Sequence, residues 1–227
     1  MRKKKVKISF CILNYYEDWL VVRTISQVYD FVDEILIGDT SRGKDLIPRA
    51  VDGLPKCRIV PDPGFDEGSN FSWSEWRNYV QSFAKGDWVM WTDPDEIYPL
   101  NLMRNLRGWL ERTTAEAIGL VRIAYETHKR MVVRNKEPKI RIWRNLNRIR
   151  WSRKIHESPE GFKDYEIWDV TYAHDINWLP SFPQRIYKLK KRERRGNILP
   201  RIKKNDLDPY RERYPNEKEE DAFRSRE

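Results

Sequence analysis

The sequence of 227 residues contains only two cysteines, Cys11 and Cys57. Two cysteines so far apart indicate neither a disulfide framework nor a zinc site, and this scarcity favours a cytoplasmic compartment. No run of 18 apolar residues occurs, so no helix is expected to span a bilayer. The basic start is followed by an apolar run, residues 8–13, that is too short for a signal-peptide core. We therefore expect a cytoplasmic protein, for which the basic ends leave peripheral membrane contact open.

Several motifs of nucleotide and acyl chemistry are also absent. The chain has no G-x-G-x-x-G and no G-x-x-x-x-G-K-[ST], so it carries neither a dinucleotide fingerprint nor a P-loop. It also lacks the G-x-S-x-G elbow of the α/β-hydrolases. These absences argue against dehydrogenase, NTPase and serine-hydrolase functions.

Acidic residues are outnumbered, and the formal net charge is +9. Most of the excess lies at the ends, because residues 1–7 carry five basic and no acidic side chains and residues 185–227 carry 15 basic and 9 acidic ones, which leaves a net charge of −2 between them. Residues 122–154 still hold twelve basic side chains against two acidic ones, which suits a phosphate-bearing ligand. A basic nucleic-acid-binding protein is one alternative, but no helix-turn-helix, zinc-finger or RNP-like pattern accompanies the charge. We do not expect a nucleic-acid partner.

The first half of the sequence alternates between strand and helix patterns. Strands are predicted at residues 7–13, 34–38, 58–60 and 88–92, and helices at residues 18–29, 44–51, 73–84 and 100–112. Ser72 and Glu75 form a capping-box signature at the start of the third helix. This alternation predicts an α/β fold with a mostly parallel sheet and helices on both faces, an architecture that often binds nucleotides.

The second half has a different character. Strand patterns at residues 117–125, 139–144 and 167–173, with few helical ones, predict a smaller mixed or antiparallel region. Beyond it the chain becomes polar and helix-prone, and we expect residues 196–227 to form a charged, helical C-terminal extension.

Three acidic residues follow the strand at 88–92, in the stretch GDWVMWTDPDEIYP. Ligands of open parallel sheets bind beyond the carboxyl ends of the strands. Residues i and i+2 of an extended segment point the same way, so Asp93 and Asp95 could face one hard cation, Mg²⁺ or Mn²⁺, that neutralises a diphosphate. The same stretch also fits a helix start, with Asp93 as N-cap, Pro94 in the first helical position and Glu96 in the first turn. The residues alone leave both interpretations open.

Further acidic residues follow the neighbouring predicted strands. Glu17 comes after the first strand and Asp39 after the second, so both should reach the same edge of the sheet as Asp93. Acceptor groups in this place suit the N–H groups of a nucleobase. A turn role for Asp39 is an equally good interpretation of that residue by itself.

An arginine and two histidines complete the candidate residues. Arg77 lies inside the helix at 73–84, where an arginine is ordinarily a solvated side chain. His156 and His174 each precede an acid, in RKIHESP and TYAHDINW. A histidine beside a carboxylate can be a metal ligand, a proton carrier or a hydrogen-bonded surface pair, and the residue types do not choose among these roles.

Taken in order, four segments resemble the family 2 glycosyltransferases with the GT-A fold. They are ISFCILNYYED, VDEILIGDTSRGKD, FSWSEWRNYVQSFAKGDWVMWTDPDEIYP and IRIWRNLNRIRWSRKIHE. The closest likeness is to the branch that contains lipopolysaccharide-core sugar transferases and SunS-like S-glycosyltransferases, and it covers roughly residues 6–180. The resemblance implies a Rossmann-like GT-A domain over residues 1–195, with a nucleotide-sugar half at 6–115 and an acceptor half at 116–195.

The resemblance also implies roles for residues on the donor side. Glu17 and Asp39 match the nucleobase contacts of the family, and Arg77 matches the arginine of an RN pair near the donor. Asp93 and Asp95 match the DxD motif, with Asp93 nearer the ribose and also part of the metal site. Where relatives have an asparagine before the first glutamate this chain has Tyr16, and the second segment reads DTSRGKD rather than DSGSTD, so the nucleobase stays open.

Metal and acceptor roles follow from the same likeness. Asp95 matches the direct ligand of Mn²⁺ or Mg²⁺, and His174 resembles a later histidine that completes the metal shell. His156 and Glu157 match an HE pair near the acceptor, with Glu157 as the base.

The function implied is metal-dependent transfer of a sugar, with inversion, from a nucleotide diphosphate sugar to a hydroxyl or thiol of a glycan, a lipid-linked acceptor or a protein. A sugar-phosphate nucleotidyltransferase is a further alternative. Such an enzyme needs a basic phosphate-binding loop after the first strand, where this chain has the acidic NYYED.

Overall fold

A large mixed sheet flanked by helices forms the described part of the unit Met1–Asn177. The computed structural model describes residues 5–14, 18–39, 51–61, 63, 72–126, 131–132, 137–153 and 157–175, all of them within the unit Met1–Asn177. The strands are β1 (Ile8–Asn14), β2 (Glu34–Asp39), β3 (Cys57–Val60), β4 (Trp88–Thr92), β5 (Glu96–Ile97), β6 (Ala117–Glu126), β7 (Met131–Val132), β8 (Glu137–Arg144), β9 (Arg150–Ser152), β10 (Ser158–Glu160) and β11 (Tyr165–Asp175). The helices are α1 (Asp18–Val28), α2 (Trp73–Gln81) and α3 (Leu100–Leu110).

The main sheet has the strand order β3-β2-β1-β4-β8-β6-β11-β5, with β7 paired to β6. The first four strands are parallel, and β8 runs antiparallel to both β4 and β6. Strand β6 therefore runs in the same direction as β4, and β11 is parallel to β6. The predicted mostly parallel sheet is confirmed. The mixed region extends this same sheet, and β9 and β10 form a separate antiparallel hairpin.

Helices cover both faces of the sheet because alternate strand residues point to opposite sides. In β1, Ile8, Phe10 and Ile12 pack in the core that contains residues of α1 and α3. Cys11 and Leu13 belong to the second core, which contains residues of α2. The sheet is therefore buried on both faces, as near-continuous apolar strands predict.

Helix α2 begins with the predicted capping box. The Ser72 side chain accepts a hydrogen bond from the Glu75 N–H at 3.3 Å, and the Ser72 N–H donates to Glu75 Oε2 at 2.7 Å. The helix packs closely on β2, since a Cβ added to Gly38 would lie 2.5 Å from side-chain carbons of Leu13 and Val80. Glycine at this position lets the helix approach the end of the sheet.

Some predicted features lie outside the described residues. These are the helix predicted at 44–51, except for its last residue, and the extension at 196–227. The domain boundary at residue 195 also stays a prediction. Within the described ranges, no helix is both long and apolar enough to cross a membrane.

Candidate active site

Three neighbouring strands end together at the edge of the sheet where the candidate residues lie. Strand β1 lies between β2 and β4, with Asn14 opposite Asp39 and Ile12 opposite Thr92. Two strand spacings separate β2 from β4, so the backbones of Asp39, which ends β2, and Asp93, which follows β4, are about 10 Å apart across the sheet. Asp39 is buried, and its Oδ1 accepts a hydrogen bond from Asn14 Nδ2 at 3.4 Å. The convergence of strand ends that the sequence predicted is present.

The acidic stretch after β4 forms a turn. The Glu96 N–H donates to the Asp93 carbonyl at 3.0 Å, and Pro94 occupies the second position, where proline favours a turn. The next helix begins only at Leu100. The interpretation of Asp93 as a helix N-cap is therefore wrong. The extended geometry assumed for Asp93 and Asp95 is wrong as well, because Asp95 is a central residue of the turn that Asp93 begins.

The charge of Asp93 is balanced by two arginines from different elements. Arg77 of α2 donates through Nη2 to Asp93 Oδ1 at 2.9 Å. Arg141 of β8 donates through Nη2 to Asp93 Oδ2 at 3.3 Å. Both oxygens of this carboxylate thus have a cationic partner. Negative charge at the end of a buried strand is tolerable here because it is paired.

Arg141 also holds the third acid of the turn, Glu96. Glu96 is fully buried and accepts hydrogen bonds from Arg141 Nη2, from the Tyr98 hydroxyl at 2.9 Å and from Thr92 Oγ1 at 3.2 Å. Burial raises the pKa of Glu96, and the Arg141 guanidinium opposes that rise. Arg141 is missing from the residues predicted from sequence. Its signal is a charged residue inside the apolar stretch IRIW of β8.

The guanidinium of Arg77 lies against two indole rings. Its guanidinium carbon lies 4.6 Å from the ring centroid of Trp151 and 5.3 Å from that of Trp91. Only 13% of its side chain is exposed, so the interpretation of Arg77 as a solvated helix residue is wrong. Stacking on aromatic faces and the ion pair to Asp93 together restrict the orientation of this guanidinium.

Two further elements support the turn from outside. Thr24 of α1 donates through Oγ1 to the Pro94 carbonyl at 3.0 Å. Strand β11 pairs with β5 so that the backbone of His174 lies opposite Glu96. The fold therefore brings the backbone of His174 beside the acidic turn, although its side chain lies outside the described residues.

The acceptor-side candidate that the structure describes, Glu157, lies in the β9–β10 hairpin region. Glu157 is half-buried and directly precedes β10, whose Ser158 pairs with Ser152 of β9. The hairpin packs through Trp151, whose ring lies 5.3 Å from that of Trp91 of β4. Glu17 and His156 lie outside the described residues. The structure thus places Glu157 next to a hairpin that contacts both β4 and α2.

The donor set suits a hard divalent cation in its chemistry, since carboxylate oxygens are the ligands that Mg²⁺ and Mn²⁺ prefer. Of the two aspartates assigned to the metal, Asp93 also pairs with Arg77 and Arg141. In the part of the chain that is described, no three His, Cys, Asp or Glu side chains are grouped as a metal site. The side chain of His174 lies outside the described residues, so metal ligation by Asp93, Asp95 and His174 stays a prediction.

Most of the described basic side chains in residues 122–154 pair with acids. The ion pairs are Arg122–Glu137, Lys139–Glu137, Arg141–Asp93, Arg141–Glu96, Arg148–Glu116 and Arg153–Glu160. Charges neutralised within the protein contribute less to phosphate binding on a nucleic acid. This pairing counts against the nucleic-acid-binding alternative.

Comparison with solved structures defines the class of fold. TarS 1–349 from S. aureus, solved in complex with UDP-GlcNAc, aligns with a TM-score of 0.56 and 13% identity over 97% of this chain and 76% of that chain. Another structure of TarS 1–349 aligns with a TM-score of 0.54 and 13% identity over 81% of this chain and 63% of that chain. The protein has the GT-A type of α/β fold.

The sequence then identifies the family. Residues 9–174 match glycosyl transferase family 2, and the chain belongs to that family. A TPR repeat-containing protein of Synechococcus elongatus is 29% identical over 151 residues, which make up 66% of this chain and 35% of that protein. The chain thus spans about a third of the length of this curated relative.

Proposed function

We propose that this protein transfers a sugar from a nucleotide diphosphate sugar to an acceptor hydroxyl or thiol. The observation that carries the proposal is the Asp93–Glu96 turn, held between Arg77 and Arg141 at the carboxyl edge of the sheet in a family 2 chain. This edge is where open α/β sheets bind ligands. The resemblance of TarS, solved with UDP-GlcNAc, supports a nucleotide sugar as the donor.

Donor binding is assigned to the ends of β1, β2 and β4. Asp39 at the end of β2 supplies an acceptor for nucleobase N–H groups, together with Glu17 after β1. Asp93, oriented by Arg77 and Arg141, faces the ribose and diphosphate. A divalent cation held by Asp95 and His174, Mn²⁺ or Mg²⁺, would supply positive charge to stabilise the departing diphosphate.

Acceptor activation is assigned to Glu157, with His156 beside it in the chain. Glu157 removes the proton from the acceptor hydroxyl or thiol as that atom attacks the anomeric carbon. The bond from the anomeric carbon to the diphosphate oxygen breaks in the same step, and the nucleoside diphosphate leaves with its electron pair. A single displacement of this kind inverts the anomeric configuration.

The acceptor is a glycan, a lipid-linked molecule or a protein, and we expect the reaction to take place in the cytoplasm or at its membrane surface. The structure describes Asp39, Asp93 and Asp95 of the proposed donor edge, so the first test concerns the donor.

Thermal-shift measurements with UDP-, GDP- and dTDP-sugars, each with and without Mn²⁺, test donor binding. A ligand at 100 times its Kd that binds only the folded state stabilises it by about 2.7 kcal/mol, so one class of nucleotide should raise the Tm. The metal-dependent part of the rise should be lost in Asp95→Asn and retained in Asp52→Asn, which changes an exposed aspartate before β3. Absence of a rise with every sugar nucleotide would contradict the proposed function.

A further inference from the structure

One face of helix α2 forms a ladder of hydrogen bonds to strand β9 and the residues flanking it. Ser74 Oγ donates to the Arg153 carbonyl at 2.7 Å, and Gln81 Nε2 donates to the Ile149 carbonyl at 2.8 Å. Between them, Asn78 bonds to Trp151. The helix positions are spaced i, i+4 and i+7, which share one face, and they bond to residues 149, 151 and 153. The side chains of α2 thus bond to backbone groups of β9 in the way that a neighbouring strand would.

Asn78 makes the central and most extensive contact of this ladder. Its Nδ2 donates to the Trp151 carbonyl at 2.9 Å, and its Oδ1 accepts from the Trp151 N–H at 2.8 Å. A side-chain amide carries a donor and an acceptor on separate atoms, as this pair of contacts requires. Across the hairpin Trp151 is paired with Pro159, which has no N–H to donate. Asn78 therefore satisfies both backbone groups of Trp151.

The neighbouring residue of the helix reaches the donor side. Arg77 contacts Asp93 at the edge of the sheet and stacks on Trp151, the residue that Asn78 holds. Adjacent residues of one helix thus contact the acidic turn and the hairpin beside Glu157. Since α2 is anchored by its capping box and packed on the sheet, it sets the separation of these two parts of the site.

We infer that Asn78 is a positioning residue, which holds the β9–β10 hairpin and Glu157 in register with the donor edge. This inference rests on the proposed function for its catalytic meaning. The Nδ2 and Oδ1 of Asn78 both bond to the backbone of Trp151, so its effect on the reaction would be indirect. Loss of its two hydrogen bonds lets the hairpin shift relative to Asp93, and a misplacement of about 1 Å can lower the rate about 10²-fold.

The test compares Asn78→Ala with Asn145→Ala. Asn145 is a matched control, because its side-chain amide likewise makes two hydrogen bonds to the backbone, both donated by Nδ2, to the carbonyls of Ala84 and Gly86 at the opposite end of β4. We expect the kcat for transfer to fall about 10²-fold in Asn78→Ala, with the Kd of the sugar nucleotide within about threefold of the wild-type value. Asn145→Ala should lower the Tm to a similar degree and keep the wild-type kcat.

Hydrogen–deuterium exchange gives a readout that does not require activity. Amides of residues 149–153 should exchange faster in Asn78→Ala than in the wild type, and those of residues 88–92 should not change. Ser74→Ala, which removes one bond of the same ladder, should shift exchange and kcat in the same direction by less, and it replaces Asn78→Ala if that variant does not fold.

Three results would overturn the inference. The first is unchanged exchange at residues 149–153 in Asn78→Ala, and the second is an equal fall of kcat in Asn145→Ala. The third is a rise in the donor Kd of Asn78→Ala by the same factor as the fall of its kcat. If the wild-type protein neither binds nor consumes a sugar nucleotide, the proposed function is contradicted instead. The exchange measurement does not depend on activity, so it distinguishes that failure from a failure of the coupling between Asn78 and the hairpin.

Discussion

Arg141 and Glu96 form a buried ion pair beside the turn that carries Asp93. The side chain of Arg141 is 8% exposed and that of Glu96 is 0% exposed. Removing two charges from water is costly, and their attraction offsets this cost only when both partners are present and hydrogen-bonded. Glu96 meets this condition through Tyr98 and Thr92. The conformation of the turn should therefore depend on Arg141.

Replacing Arg141 with methionine should destabilise the protein strongly. The variant leaves Glu96 buried without its cationic partner, and such a loss costs about 3–5 kcal/mol. Urea unfolding measures the change. Arg148→Met is the control, because its pair with Glu116 lies at the surface and such pairs contribute about 1 kcal/mol or less. Adding Glu96→Gln to Arg141→Met should recover part of the lost free energy of unfolding, because no charge of this pair then remains buried. Equal losses in Arg141→Met and Arg148→Met would contradict this account.

Replacing Arg77 with lysine should weaken donor binding while the charge is kept. Lysine cannot stack a planar group on Trp91 and Trp151, so the cation beside Asp93 loses its fixed orientation. A desolvated cation–π contact contributes about 2 kcal/mol, and we expect the Kd of the sugar nucleotide to rise more than tenfold by calorimetry.

The control for this change is Arg58→Lys. Arg58 lies 5.2 Å from the ring centroid of Phe83 and donates to the Phe83 carbonyl, away from the carboxyl edge. Its replacement should leave the Kd unchanged. A wild-type Kd in Arg77→Lys would show that stacking does not orient a donor contact.

Replacing Glu157 with glutamine should abolish most transfer without loss of donor binding. Glutamine cannot accept the acceptor proton, and a well-placed base contributes about 10²- to 10⁴-fold in rate. The kcat, measured as release of nucleoside diphosphate with saturating acceptor, should fall by that factor. Glu160→Gln changes an exposed acid of the same hairpin and should keep the wild-type kcat. Wild-type turnover by Glu157→Gln would remove the base assignment.

Asp33 should contribute to stability at neutral pH and lose that contribution in acid. Burial alone would raise its pKa, but the hydrogen bond from the Ile8 N–H and the Arg107 guanidinium outweigh burial and hold the pKa below its ordinary value. A carboxyl group with a lowered pKa stabilises the folded state above its unfolded pKa and loses this effect as the pH falls through the folded pKa.

The free energy of unfolding of Asp33→Asn should therefore lie below that of the wild type at pH 7. The two free energies should converge as the pH falls below 3.8, the ordinary pKa of an aspartate. Urea titrations at a series of pH values measure both proteins. Asp164→Asn serves as a control with another aspartate that accepts a backbone N–H, from Glu116. A difference between Asp33→Asn and the wild type that is constant with pH would rule out the ionised form of Asp33 as its source.

The sequence by itself determined most of the elements of the described fold. Apolar runs of strand length predicted β1, β2 and β4 to within a residue or two, because burial on both faces of a parallel sheet leaves little room for polar residues. The Ser72 and Glu75 pair predicted the start of α2, since a capping box satisfies local backbone groups. The sequence also predicted that Asp39, at the end of β2, and Asp93, after β4, would lie at the same edge of the sheet.

Only the tertiary structure decided which groups those acids meet. Asp93 has Arg141 as a partner because β8 inserts next to β4, and the backbone of His174 reaches Glu96 because β11 pairs with β5. These partners are separated by many residues in the chain, and no local pattern records the order of strands in a sheet. The same long-range pairing made the acidic stretch a turn rather than a helix start. Local backbone preferences specify the elements, whereas the partners of buried charges depend on how those elements pack.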